Sequence, residues 1–167
     1  HFFSKFIKKF KYKDLKESNL EINLQEVSDR KYLKLYRIKS NLVDNYEVST
    51  LENYLNYSYF DDEQDLFLDL RASIYTNLSD TYNDKYEYIL PEINFNKNLY
   101  SDKFGSGSFN TNIKIHNYDT NKSENFFVND FNWTYDKTFS DLPYNGKILT
   151  NLKNVNYESE KVSKLKK

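Results

Sequence analysis

Cysteine and methionine are missing from this chain, and glycine (3), proline (2) and tryptophan (1) are scarce across its 167 residues. Without cysteine there is no disulfide framework and no thiolate metal site in this stretch. So little glycine and proline excludes a collagen-like or low-complexity chain. No apolar run reaches the ~18 residues of a membrane-spanning helix. No segment has the layout of a signal peptide, and the stretch is expected to be an internal piece of a longer protein. An excess of one charge is missing too: 24 basic residues against 25 acidic leave a formal charge of -1. With no basic stripe, a nucleic-acid surface drops out of the expected functions.

What is present is aromatic. Phe, Tyr and Trp make up 18% of the chain and nearly half of its 38% hydrophobic content, while mean hydropathy is -0.87. A disordered chain would not carry so many rings, and a soluble globule of this length normally holds more aliphatic residues. From Tyr86 to Trp133 the apolar residues fall on every second position: Ile93, Phe95 and Leu99, then Phe109, Ile113 and Ile115, then Phe127, Phe131, Trp133 and Tyr135. Period two gives each strand one apolar and one polar face. The polar face carries Asn94, Asn96, Asn112, Lys114, His116, Asp130 and Asn132, more polar than the core of a sandwich.

About eight strands are expected, near 2–13, 19–27, 48–60, 65–76, 86–100, 107–118, 125–138 and 146–158. They are separated by turn clusters at Asp14–Ser18, Asp61–Gln64, Ser101–Gly107, Asp119–Glu124 and Ser140–Gly146, and by longer polar stretches at Ser28–Glu47 and Asn77–Lys85. Leu66, Leu68 and Leu70 alternate with Phe67, Asp69 and Arg71. The opening FFSKFIKKFKYK fits an amphipathic helix as well as a strand; strand is favoured because everything downstream is hairpin. Pro91 lies inside a strand pattern, where its missing N–H calls for an edge or a bulge. The expected fold is all-β, an antiparallel up-and-down meander over 1–160 with a tail at 161–167. Strands of ten residues and more, each with one greasy and one wet side, suit a segment of a large outer-membrane barrel.

Two ordered motifs carry a resemblance to a family. NLEINLQEVSDRKYLKLY (Asn19–Tyr36) is similar to a strand-plus-loop segment of the lipopolysaccharide-assembly proteins of the LptD (organic solvent tolerance) family, through Val27, Ser28, Asp29, Tyr32 and Leu33. YILPEINFN (Tyr88–Asn96) resembles the strand that follows in that family, with Leu90, Pro91 and Ile93 in place. The glycine-containing hairpin and FNWTYDKTFS continue the order, so the resemblance spans roughly 19–160. It implies a barrel segment in the outer membrane of a Gram-negative bacterium that helps insert lipopolysaccharide into the outer leaflet without covalent chemistry. It also implies outer-membrane lipid around the wall, a lipoprotein plug of the LptE kind and periplasmic lipopolysaccharide-transport components as partners. The interdomain disulfide cysteines of that family are absent here.

On this reading Leu66, Leu68, Leu70, Ile113, Ile115, Phe131 and Trp133 face lipid, Trp133 and Tyr135 in an aromatic girdle. Asp69, Arg71, Asn112, Lys114, His116 and Asp130 face the lumen, with cross-strand pairs steadying the wall. No catalytic residue, cofactor or metal is expected. Asp61, Asp62 and Glu63 are the type of cluster that holds Ca²⁺, but in this tight turn they read as a solvated hairpin tip. Gly105-Ser106-Gly107 lacks the lysine and the following helix of a phosphate loop and reads as a hairpin turn. His116 reads as a solvated lumen histidine. A small porin-like barrel and a soluble all-β carbohydrate-binding module are the alternatives.

Overall fold

The computed structural model describes residues 1–12, 16–38, 47–79, 83–138 and 145–162. Eight strands follow one another: β1 (Phe2–Lys11), β2 (Lys16–Glu26), β3 (Thr50–Asp61), β4 (Leu66–Asn77), β5 (Tyr86–Ser101), β6 (Gly105–Tyr118), β7 (Ser123–Thr138) and β8 (Asn145–Glu160). Each pairs antiparallel with the next, giving one open meander in the order β1 to β8. The ambiguous opening segment is a strand. The expected turn at Asp14–Ser18 lies outside the described residues up to position 15, as does that at Ser140–Gly146 up to 144 and the tail from 163.

The alternation explains why these residues form strands and also why they form a single layer. Among the described residues only Leu33, Leu51 and Ile89 are buried hydrophobics, so nothing resembling a globular core is present. A small cluster of Leu33 and Leu51, with Phe3, Val27, Ile38, Val48 and Leu78 around it, sits at one end of the sheet. Its helix, α1 (Tyr32–Tyr36), was not visible in the polar stretch 28–47. Asp29 starts it: its carboxylate accepts from Lys31 N–H at 2.8 Å and its carbonyl from Tyr32 N–H at 3.0 Å. Arg37 ends it in the left-handed conformation, φ 50°. At five residues the helix has too few turns for a period of 3.6 to show.

The irregularity expected at Pro91 is there. Leu90-Pro91, joined by a cis peptide bond, form a bulge opposite single residues on both neighbouring strands, between Arg71 and Ser73 on one side and between His116 and Lys114 on the other. The glycine pair differs in part from expectation. The turn itself is 102–104, and Gly105 and Gly107 already belong to β6. Gly105 has φ 94°, and a Cβ on Gly107 would strike the Asn132 carbonyl and the Trp133 ring. Both glycines admit the close approach of β7, and Gly105, with its positive φ directly after residue 104, also serves the turn as expected.

Candidate functional site

The strand register sorts the side chains onto two faces. Leu66, Leu68 and Leu70 stand opposite Asp61, Tyr59 and Tyr57 on β3 and Lys97, Phe95 and Ile93 on β5. That face continues through Ile113 and Ile115 to Phe131 and Trp133. All seven residues expected on the apolar side therefore share one face. Asp69, Arg71, Asn112, Lys114, His116 and Asp130 share the other. The bulge is what keeps the assignment intact. In β5 the apolar residues are odd-numbered from Ile93 onward, and one extra residue puts the even-numbered Tyr86 and Tyr88 on the same face.

The apolar face is not uniform along its rows of directly opposed residues. One row runs Lys16, Asp61, Leu66, Lys97, Phe109, Phe131, Leu152: charged at β2 and β3, apolar by β6 to β8. Six residues away, another runs Phe6, Ile22, Leu55, Ala72, the bulge, Ile115, Asn125, Glu158: apolar first, polar by β7 and β8. The apolar band thus slants across the sheet. Its centre moves by about eight residues from β1 to β8, about one per strand. With ~3.3 Å per residue and ~4.8 Å between strands, that slant is an angle of ~35–40°. Strands of membrane barrels tilt by the same ~35–45°. On β3, β4, β5 and β7 the band covers about 8–10 residues, roughly 20–25 Å in height at that tilt, while on β2 and β8 its apolar residues run only from Leu20 to Leu24 and from Ile148 to Leu152. Rings mark its borders: Tyr59 and Tyr135 at one, with Trp133 just inside, and Tyr86 and Tyr88 at the other. Trp133 is fixed there by its indole N–H, which donates to the Phe104 carbonyl at 2.8 Å. Inside the band, the Thr111 hydroxyl donates to the Asn129 amide oxygen at 2.8 Å, so these two polar groups satisfy each other.

The polar face is a hydrogen-bonded network. Arg71 pairs with Glu52 at 2.5 Å and stacks on the Tyr54 ring at 4.1 Å. Glu52 also accepts from Tyr75 O–H at 2.7 Å. Tyr54 donates to Glu21, which pairs with Lys5 at 2.6 Å. Asp69 accepts from the Asn56 amide at 3.0 Å. Further on, Asn112 donates to Asn94 at 2.5 Å, Asn96 donates to Asn110, and Asp130 pairs with Lys153 at 3.3 Å. Cross-strand pairing was expected, but its partners were not: Glu52, Glu21, Lys5 and Lys153 were missed because only the register reveals them. Lys114 stands opposite Glu92 and Phe126, away from Asp130.

At the end carrying 27–38, 47–49, 78–79, 83–85 and 119–122, two further clusters tie strands and turns together. His116 is held rather than freely solvated, with Nε2 3.1 Å from Glu87, Nδ1 3.9 Å from Glu124 and its ring stacked 4.2 Å from Tyr118. Asp84 is buried, 3% exposed. It accepts from the Thr120 N–H at 3.1 Å and from the Thr120 hydroxyl, and pairs with Lys122 at 2.8 Å. Burial alone would raise its carboxyl pKa; the bonds from Lys122 and Thr120 outweigh it and hold the group below the usual range. At the other end Asp61 is likewise buried and pairs with Lys16 at 3.0 Å, which corrects its reading as a solvated tip. No group of three or more metal-ligating side chains occurs among the described residues, and no helix there is long and apolar enough to cross a membrane.

Of the motif residues, Val27 and Leu33 pack in the end cluster, Asp29 starts α1, and Leu90 and Pro91 form the bulge. Tyr32 O–H meets His1 Nδ1 at 2.9 Å, and Ser28 borders a cavity at the same end. The chain matches no protein-family model, no curated protein sequence and no solved structure.

Proposed function

We propose that this chain is a stretch of the wall of an outer-membrane β-barrel, with lipid against the apolar face and a hydrated lumen against the polar one. The slanted apolar band carries this reading. A membrane plane cuts tilted strands at one height, so its imprint must shift from strand to strand by the stagger of the barrel. A flat soluble sheet packed on a second layer places its apolar residues where that layer touches it instead. The ordered motifs extend the proposal to the barrel that inserts lipopolysaccharide into the outer leaflet of a Gram-negative bacterium, working by vectorial passage with no covalent step. A lipoprotein plug and periplasmic transport components are its partners on that reading.

The absence of cysteine makes the test direct. Single cysteines at positions 68, 69, 70 and 71 in the protein in vesicles are expected to react alternately with a water-soluble maleimide: slowly at 68 and 70, quickly at 69 and 71. Equal reaction at all four sinks the wall. Photo-reactive side chains at positions 112 and 130 are expected to capture lipopolysaccharide in cells. No capture at either, with the alternating pattern intact, removes the lipopolysaccharide assignment and leaves the wall.

A further inference from the structure

At the end that bears α1, the segment 27–30 borders a half-open groove of about 800 Å³ on the apolar face. Its floor is Leu24, Leu51, Ile74 and Thr76 on the face of the apolar band, with Asn53 set among them opposite Ile74. Its rim carries two cations, Arg30 and Lys85. Arg30 reaches only the Ser79 carbonyl, at 3.4 Å, and the Lys85 ammonium stands 4.7 Å from the Tyr86 ring. Among the described residues no carboxylate lies within ion-pair distance of either. Asp29 on the same rim is turned to the Lys31 N–H, and Glu26 is the other carboxylate there.

We propose that this groove seats one phosphate-bearing membrane lipid, its phosphate between Arg30 and Lys85 and an acyl chain along Leu24 and Ile74. The inference rests on the lipid-facing reading of this face. The chemistry is that of an amphiphile: charge-assisted N–H donors suit phosphate oxygens, and the apolar floor takes a chain that would otherwise lie in bulk bilayer. The groove is placed where the band ends, at the depth where headgroup meets chain. A free phosphate would gain nothing from the floor, and an uncharged lipid nothing from the rim.

The test is native mass spectrometry of the protein in detergent, titrated with dioleoyl phosphatidylglycerol and, separately, with dioleoylglycerol. One retained phosphatidylglycerol is expected, with about tenfold weaker retention of dioleoylglycerol, and about tenfold weaker retention of phosphatidylglycerol by the double variant Arg30→Ala, Lys85→Ala. Ile74→Trp fills the floor and is expected to weaken retention similarly while leaving both cations. Arg30→Lys with wild-type Lys85 is expected to restore part of it. Inorganic phosphate in millimolar excess is expected to leave retention unchanged. Equal retention by wild type and both variants overturns the site, as does equal retention of the two lipids. Trp133 quenching by brominated lipid in vesicles separates the two levels of failure. Quenching with an unselective groove removes the site alone; no quenching removes the lipid-facing reading and the site with it.

Discussion

The slanted band makes a prediction that no untilted sheet shares. Leu70, Ile93, Ile113 and Phe127 lie in one row of opposed residues, and Leu70 and Phe127 are equally exposed, at 37% and 38%. In water, an arginine at either position would cost about the same. In a bilayer the two differ, because Leu70 is central in the band on β4 whereas Phe127 lies about four residues from its centre on β7. Four residues are ~13 Å along a strand and ~10 Å in height at the inferred tilt, nearly the half-height of a ~25 Å apolar band. Leu66 and Phe131 share another row with the roles reversed: Phe131 is central and Leu66 marginal. Arginine on a lipid face costs roughly 2–4 kcal/mol at the midplane and about 0–1 near the interfaces. Leu70→Arg and Phe131→Arg are therefore expected to cost about 2–3 kcal/mol more than Phe127→Arg and Leu66→Arg. Each arginine is compared with alanine at the same position, which removes the loss of the original side chain. Reversible unfolding from vesicles in denaturant, followed by Trp133 emission, reads the difference. Costs that follow the row rather than cross between rows would refute the slant and the membrane placement built on it.

Four more expectations follow from single contacts. Gly107→Val drives a side chain into the Asn132 carbonyl and the Trp133 ring, so it should cost about 1–3 kcal/mol and shift Trp133 emission; an unchanged spectrum and midpoint would show that β7 does not approach β6 so closely. Glu52→Ala strands the Arg71 guanidinium and the Tyr75 hydroxyl together and should cost ~1–3 kcal/mol in denaturant unfolding, more than Glu52→Gln. Asp84 has a lowered carboxyl pKa, so its clasp on Thr120 and Lys122 contributes fully above the unfolded value near ~4 and is lost as pH falls through the folded one. A spin-label pair at positions 83 and 121 should broaden in distance at that point, and in Asp84→Asn already at neutral pH. Deleting Pro91 removes the one extra residue of the bulge and leaves every other β5 side chain on its present face; deleting Asn112 turns half of β6 over. Folding yield in vesicles should survive the first deletion and collapse with the second.

The strands were legible because both faces are written in period two. The eight expected ranges match the observed ones to within a few residues, and the opening FFSKFIKKFKYK resolved as a strand because β2 offers it Leu20, Ile22 and Leu24 on one face. The partition of the faces was legible for the same reason: residues two apart must agree. What stayed hidden depends on the offset between strands, which no single strand encodes. Arg71 seeks a carboxylate, but nothing in Asp69-Leu70-Arg71 says that the partner is Glu52 rather than Asp69. The slant was hidden too, since it exists only after eight strands are aligned. Helix α1 is too short to show a helical period, and it forms through Asp29 and the burial of Leu33. Asp61 looked solvated beside Asp62 and Glu63 because its partner, Lys16, stands opposite it at the start of β2, far away in sequence.

A single sheet with three buried hydrophobic residues among those described lacks the stabilisation that a water-soluble domain draws from its core. Whatever covers the apolar face must therefore supply it, and the cover has to follow the shape of that face. A second protein layer would pack along the strands or across them at the angles set by sheet twist, and would ask for large residues wherever it touched. The observed band instead keeps a slanted course while the residues that compose it change from Phe6, Ile22 and Leu55 on the early strands to Phe131, Trp133 and Leu152 on the late ones. Its demand is for apolarity at a given depth, indifferent to shape, with rings where the depth runs out. The phase switch at Leu90-Pro91 serves the same demand. It brings Tyr86 and Tyr88 onto the apolar side at the border of the band and leaves Glu87 on the polar side with His116. Selection for depth rather than for fit is what a fluid hydrocarbon slab would impose, and it is the ground on which the proposed barrel wall rests.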